Sequence, residues 1–179
     1  MVHANIFHLF ADTLGKAQIS FVLIGGFAVN YYQFTRVTGD VDFMMTEGDF
    51  DKALPLLEKS GCQLLVRTQL FATLKSIIPP YLPTDILFVD QETMRGILEE
   101  AGEADLVGQK LRVPSLKHLF ALKLHALKNN LKHRESRDLR DIIELVKHHQ
   151  IDVKSDSFRD LCRKYGNEMI YEKIIGSIL

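Results

Sequence analysis

Apolar residues fall at positions 6, 7, 9, 10 and 14 of Asn5–Lys16, the spacing of a short amphipathic helix. Ser20–Ile24 reads as a buried strand, and Gly26 to about Phe34 as a helix opening at a Gly25-Gly26 turn. Asp40–Met45 predicts a second strand, and Glu47–Ser60 a helix ended by Gly61. Cys62–Arg67 and Phe71–Ser76 alternate in the manner of a hairpin around Thr68-Gln69-Leu70. Pro79, Pro80 and Pro83 interrupt regular structure before a strand at Thr84–Val89. Gln91–Glu100 predicts a helix with Asp90 before it as cap, and Leu106–Val113 a short strand or hairpin holding Gly108. From Pro114 the pattern becomes purely helical. Ser115 is the expected N-cap of a helix to about Leu131, Glu135–His149 forms another, and one or two more follow between Ser155 and Leu179. The expected fold is α+β: a small mixed β-sheet with flanking helices and a C-terminal helical bundle. The domains are then 1–113, the core, and 114–179, the helical part.

Composition narrows the class. Of 179 residues, 46% are hydrophobic and 25% charged with net charge −1, so no global basic or acidic field points to a nucleic-acid coat or a membrane surface. Cys62 and Cys162 show no C-x-x-C spacing and read as two free thiols of a reducing compartment. There is no signal-peptide pattern at the start and no apolar run of membrane-spanning length, so the expected location is the cytoplasm. No H-x-x-x-H spacing with a helical acid suggests zinc, and neither Ser115 nor Ser136 sits in a nucleophile elbow.

The candidate chemistry lies in the acids. After Gly25-Gly26 and a 13-residue spacer comes Asp40-Val41-Asp42, with Arg36 and Thr38 preceding at the same two-residue step. Residues two apart on a strand point the same way, so the two carboxylates share a face. At roughly 5 Å and an effective dielectric near 20 they repel by about 3 kcal/mol, which a divalent cation relieves. Mg²⁺, which takes a few carboxylates plus waters and phosphate oxygens, fits best. Asp85 opens the apolar strand Thr84–Val89 and joins the pair if that strand lies beside Asp40–Met45. Three carboxylates can hold two divalent ions, and the third can accept a proton from an attacking hydroxyl.

Two glycines between a strand and a helix let backbone N–H groups approach a triphosphate, or simply make a tight turn. This is no P-loop, because G-x-x-x-x-G-K-[ST] is absent. Lys123 sits on a stripe with Leu116, Leu119, Phe120 and Leu127, while Arg134, Arg137, Asp138 and Asp141 share a face of the next helix. Two readings stay open: an interhelical ion cluster, or Lys123 facing a nucleotide phosphate. Lys128, Lys132, His133, Arg134, Arg137 and Arg140 form a basic cluster that is either a solvated face or an RNA contact. Tyr31, Tyr32 and Phe34 read as core or cleft wall.

The combination Ile24-Gly25-Gly26, spacer, Asp40-Val41-Asp42-Phe43 resembles the signature of the polymerase-β-like nucleotidyltransferase superfamily, with Asp85 at its third carboxylate. Leu119-x-x-x-Lys123-x-x-Ala126 and Arg134-x-x-Arg137-Asp138-x-x-Asp141-Ile142 are similar to two further motifs of AbiEii-type nucleotidyltransferases. The resemblance implies an Mg²⁺-dependent enzyme, with two ions, that moves a nucleoside monophosphate from an NTP to a hydroxyl-type acceptor: RNA or tRNA, protein or a small molecule. It further implies a place in toxin–antitoxin or phage-defence systems, with an antitoxin protein as partner. Asp40, Asp42 and Asp85 would hold metal, with Asp85 also the general base. Gly25, Gly26, Arg36, Thr38 and Lys123 would meet the nucleotide, Lys123 also serving catalysis. Two departures stand out: Gly26 replaces the serine of many relatives, and Arg137 replaces a usual lysine. The rival readings are a non-catalytic binding or regulatory module of the same fold, and an RNA-binding module using the basic cluster.

Overall fold

The computed structural model describes residues 3–77, 81–129 and 135–178. They fall into two compact units, one of residues 1–28 and 36–115, the other of residues 29–35 and 116–179.

The first unit is built on a five-stranded mixed sheet of order β1-β2-β5-β4-β3: β1 Val22–Ile24, β2 Val41–Thr46, β3 Cys62–Arg67, β4 Phe71–Ser76 and β5 Thr84–Val89. Only β2 and β5 run parallel, with Asp42 opposite Asp85, while the other pairs are antiparallel. Helices α1 (Ile6–Lys16) and α3 (Glu47–Lys59) bury one sheet face. There Phe10 stacks on Phe43 at 4.1 Å, and Phe7, Leu14, Phe50, Leu57, Val41, Met45, Ala72, Leu74 and Ile86 fill the same core. Because side chains alternate, Asp42, Thr73 and Asp85 stand on the opposite face. The pattern of apolar residues thus assigns polar chemistry to one side of the sheet by default.

Local signals set most ends. Asn5 and Thr46 cap α1 and α3, and Asp90 caps α4 (Gln91–Glu100) by accepting from the Thr93 N–H at 2.7 Å. The hairpin β6 (Gly102–Leu106) and β7 (Gln109–Val113) turns at Val107 and Gly108, both with positive φ. Helix α2 (Gly25–Tyr31) is shorter than its sequence suggests, and the chain turns through Gln33 at φ 67.

The second unit is helical: α5 (Leu116–Asn129), a π turn Glu135–Leu139, α6 (Arg140–His148), α7 (Asp156–Tyr165) and α8 (Glu168–Ile178). The expected end of α5 near Leu131 lies outside the described residues, and Glu135–His149 is a π turn followed by an α-helix. Leu119, Phe120, Leu124, Leu127, Ile142, Leu145, Phe158, Cys162, Ile170 and Ile174 are buried here. Residues 29–35 join this unit through His149 Nε2, which donates to the Tyr32 carbonyl at 3.0 Å, and His148, 3.2 Å from Gln33 Oε1. Burial pushes the Cys62 thiol up to about 11 and, with nearby Glu168, that of Cys162 up to about 12, so both stay protonated at neutral pH. No helix among the described residues is long and apolar enough to cross a membrane.

Candidate active site

The parallel pairing of β2 with β5 brings distant acids together. Asp42 and Asp85 are direct neighbours across the ladder, and Asp40 lies just before β2. One oxygen from each of the three carboxylates lies within 4.8 Å of the others, and all three residues are half-buried. Among the described residues this is the one cluster of three or more acids, histidines or cysteines with such spacing. Three formal negative charges at this range are held together by the fold at an electrostatic cost.

Each acid has a distinct local support. The Thr38 hydroxyl donates to Asp40 Oδ1 at 3.0 Å, and the Thr73 hydroxyl donates to Asp85 Oδ1 at 2.7 Å. Thr73 stands opposite Asp85 in the β4–β5 ladder, so its place follows from register. Asp42 packs against Gly25, whose φ is +64 and where any Cβ would fall on the Asp42 carboxylate. The first glycine is therefore required by the acid that faces it as well as by its backbone angle. Gly25→Ala should misplace Asp42 by a large fraction of an ångström and lower the nucleotidyl transfer that the resemblance implies about 10²-fold in initial-rate assays.

Gly26 is enclosed differently. A Cβ there would lie 2.6 Å from Thr38 Oγ1 and 3.2 Å from an Arg36 guanidinium nitrogen. The space a residue-26 side chain would need is filled by Thr38. Gly26→Ser alone should push Thr38 off Asp40 and depress activity. Combining it with Thr38→Gly removes both clashing atoms, Oγ1 and the Cβ 2.8 Å away, and the double variant should be more active than Gly26→Ser, a reversal that a double-mutant cycle measures.

In the second unit Lys123 is 5% exposed, with its Nζ 2.9 Å from Asp138 Oδ1 and 2.7 Å from Asp141 Oδ2. Asp138 and Asp141 are 4% and 1% exposed, so Lys123 and these two carboxylates form a buried ion triad. Asp138 belongs to the π turn and Asp141 to the α-helix that follows it, and both meet the same ammonium. Of the two readings left open by the sequence, the interhelical ion cluster is seen for Lys123, Asp138 and Asp141. Arg137, Arg140 and Lys128 are exposed, while Lys132, His133 and Arg134 lie outside the described residues.

Sequence spacing brought forward Asp40, Asp42, Asp85, Gly25, Gly26, Arg36 and Thr38, and the structure gathers all of them in the first unit. It did not bring forward Thr73. A lone threonine between Ala72 and Leu74 looks like any strand residue until the register of β4 on β5 is known.

The profile of the family described as "Nucleotidyl transferase AbiEii toxin, Type IV TA system" matches residues 66–177. That span holds Asp85, Thr73, Lys123, Asp138 and Asp141, while Gly25 to Asp42 lie ahead of it. No curated protein sequence matches significantly. Among solved structures, ANT(2″)-Ia in complex with adenylyl-2″-tobramycin superposes with a TM-score of 0.56 at 13% identity, over 97% of this chain and 97% of that one. An antigenic nucleotidyltransferase-like protein from Paracoccidioides brasiliensis gives a TM-score of 0.55 at 18% identity, over 78% of this chain and 72% of that one. At these identities the likeness speaks for the fold, that of nucleotidyltransferases. With the family profile spanning more than half of its length, the chain belongs to the AbiEii family of nucleotidyl transferase toxins and is a nucleotidyltransferase.

Proposed function

We propose that this enzyme transfers a nucleoside monophosphate from an NTP to a hydroxyl of an RNA acceptor, dependent on Mg²⁺, as the toxin of a cytoplasmic toxin–antitoxin pair. The observation that carries the reading is the convergence of Asp40, Asp42 and Asp85 within 4.8 Å on the polar face of the sheet. Hard carboxylate oxygens, half-exposed and unaccompanied by soft ligands, suit Mg²⁺ in a site shared with substrate phosphates. Asp40, Asp42 and Asp85 would hold such ions, whose positive charge would offset that of the triphosphate.

The chain's own groups would do the rest. Asp85 would take the proton of the acceptor hydroxyl as its oxygen attacks the α-phosphorus and the bond to the β-phosphate breaks, releasing pyrophosphate. Gly25 and Gly26, with no side chains, would leave the nucleotide room to approach, and Arg36 and Thr38 beside Gly26 would meet its phosphates. For Lys123 the geometry supports a structural role best: two carboxylates already bind its ammonium, and only the third N–H could serve a phosphate. RNA is favoured as acceptor by the exposed cations Lys128, Arg137 and Arg140 of the second unit.

The test is incubation with each α-labelled NTP and, separately, total cellular RNA, protein and small molecules. Label should move to RNA in the presence of Mg²⁺ and be lost with chelator. Label on protein or a small molecule instead would overturn the RNA assignment, and no transfer from any NTP to any fraction would overturn the reading as a whole.

A further inference from the structure

The two outer acids of the cluster are held alike. Asp40 accepts from a threonine hydroxyl two residues before it, and Asp85 from a threonine hydroxyl on the neighbouring strand, at 3.0 and 2.7 Å. The central Asp42 is confined by Gly25. We propose that Thr38 and Thr73 are positioning residues that aim the outer carboxylates at a common point before any cation arrives. This rests on the reading of the three acids as a metal site.

Three considerations support the assignment. Left alone, three like charges rotate apart, and refixing each side chain on metal binding forfeits rotamer freedom. A hydroxyl counters this with a charge-assisted hydrogen bond, which is directional. It is also neutral: a lysine or arginine in the same place would hold the carboxylate but cancel the charge that attracts a divalent ion. Threonine is further suited by its β-branch, which restricts χ1 and so narrows the donor's choices; for Thr38 the other acceptor in range is the Asp40 carbonyl oxygen at 3.3 Å, farther than Oδ1 at 3.0 Å. Both threonines have a fixed backbone origin, Thr73 in the ladder opposite Asp85 and Thr38 packed over Gly26. Each hydroxyl occupies Oδ1 of its acid. This leaves the other oxygen, Oδ2, for the metal at Asp40, and at Asp85 for the metal or the acceptor proton, as second partners of metal ligands generally do.

The test measures Mn²⁺ binding directly, by the electron paramagnetic resonance signal of free Mn²⁺ during titration of the full chain. Wild type, Thr38→Val, Thr73→Val, the matching serine variants and Asp85→Asn are compared, with melting temperatures alongside. Loss of a hydroxyl should weaken Mn²⁺ binding about 10- to 100-fold while the serine variants stay near wild type. The melting temperature should not follow this order. If the valine variants do not fold, Thr38→Ala and Thr73→Ala replace them in the same comparison. Valine or alanine variants that bind Mn²⁺ as wild type does, while Asp85→Asn does not, overturn the positioning role and leave the metal site standing. Wild type that binds no better than Asp85→Asn overturns the metal site and the positioning role together.

Discussion

Asp42→Asn is expected to lower nucleotidyl transfer by about 10³-fold or more while leaving the melting temperature unchanged or raised. Asparagine keeps the shape of aspartate and removes its charge. Asp42 faces Asp85 across the ladder, lies near Asp40 and fits against Gly25, so it has carboxylates on two sides. Repulsion from those two carboxylates opposes folding, by an amount bounded by about 3 kcal/mol for each close pair. An acid retained for structure behaves the other way, since its loss abandons a partner. The joint signature of lost turnover and kept stability separates a catalytic cluster from a structural one. Rate assays and thermal melts on the same preparation measure both. A variant that melts well below wild type would mean that the acids hold the fold together.

Lys123→Met is expected to behave in the opposite sense. Methionine fills much the same volume, but its thioether leaves Asp138 and Asp141 buried without their cation. Removing one partner of a buried ion group costs about 3–5 kcal/mol. In a chain of this size that lowers the melting temperature by roughly 10 °C. Much of the deficit should return when Asp138→Leu and Asp141→Leu are added, because a packed apolar replacement of the whole triad spares the desolvation penalty. If Lys123 serves phosphate binding alone, Lys123→Met will instead melt as wild type does and lose activity. Thermal unfolding of the single and triple variants decides between the two roles that its sequence position leaves open.

What could be read from the residues divides along a physical line. Local rules placed the β3–β4 hairpin, β5, and the Asp90-capped helix α4, because each is fixed by alternation, turn chemistry or a cap within a few residues. The two-residue step of Asp40 and Asp42, and one acid in the strand Thr84–Val89, were enough to bring forward the three carboxylates. That β2 lies parallel and next to β5, with Asp42 opposite Asp85, is a tertiary fact that no local signal carries. Thr73 escaped for the same reason, since its partner is twelve residues away on another strand. The glycines were legible as a turn, but the reason for Gly25, the carboxylate lodged against it, is again long-range. In the second unit the i, i+3, i+4 spacing joined Asp138 and Asp141 to Lys123, whereas the π turn at Glu135–Leu139 was not foreseen. A helical period assumes uniform winding, and the extra residue per turn shows only in three dimensions.

Anomalous diffraction from crystals grown with Mn²⁺ and a non-hydrolysable NTP tests the central claim most directly. The account predicts anomalous density roughly 2 Å from oxygens of Asp40, Asp42 and Asp85, shared with the triphosphate. A bound nucleotide whose metal lies elsewhere, with these three carboxylates contacting neither, would contradict it.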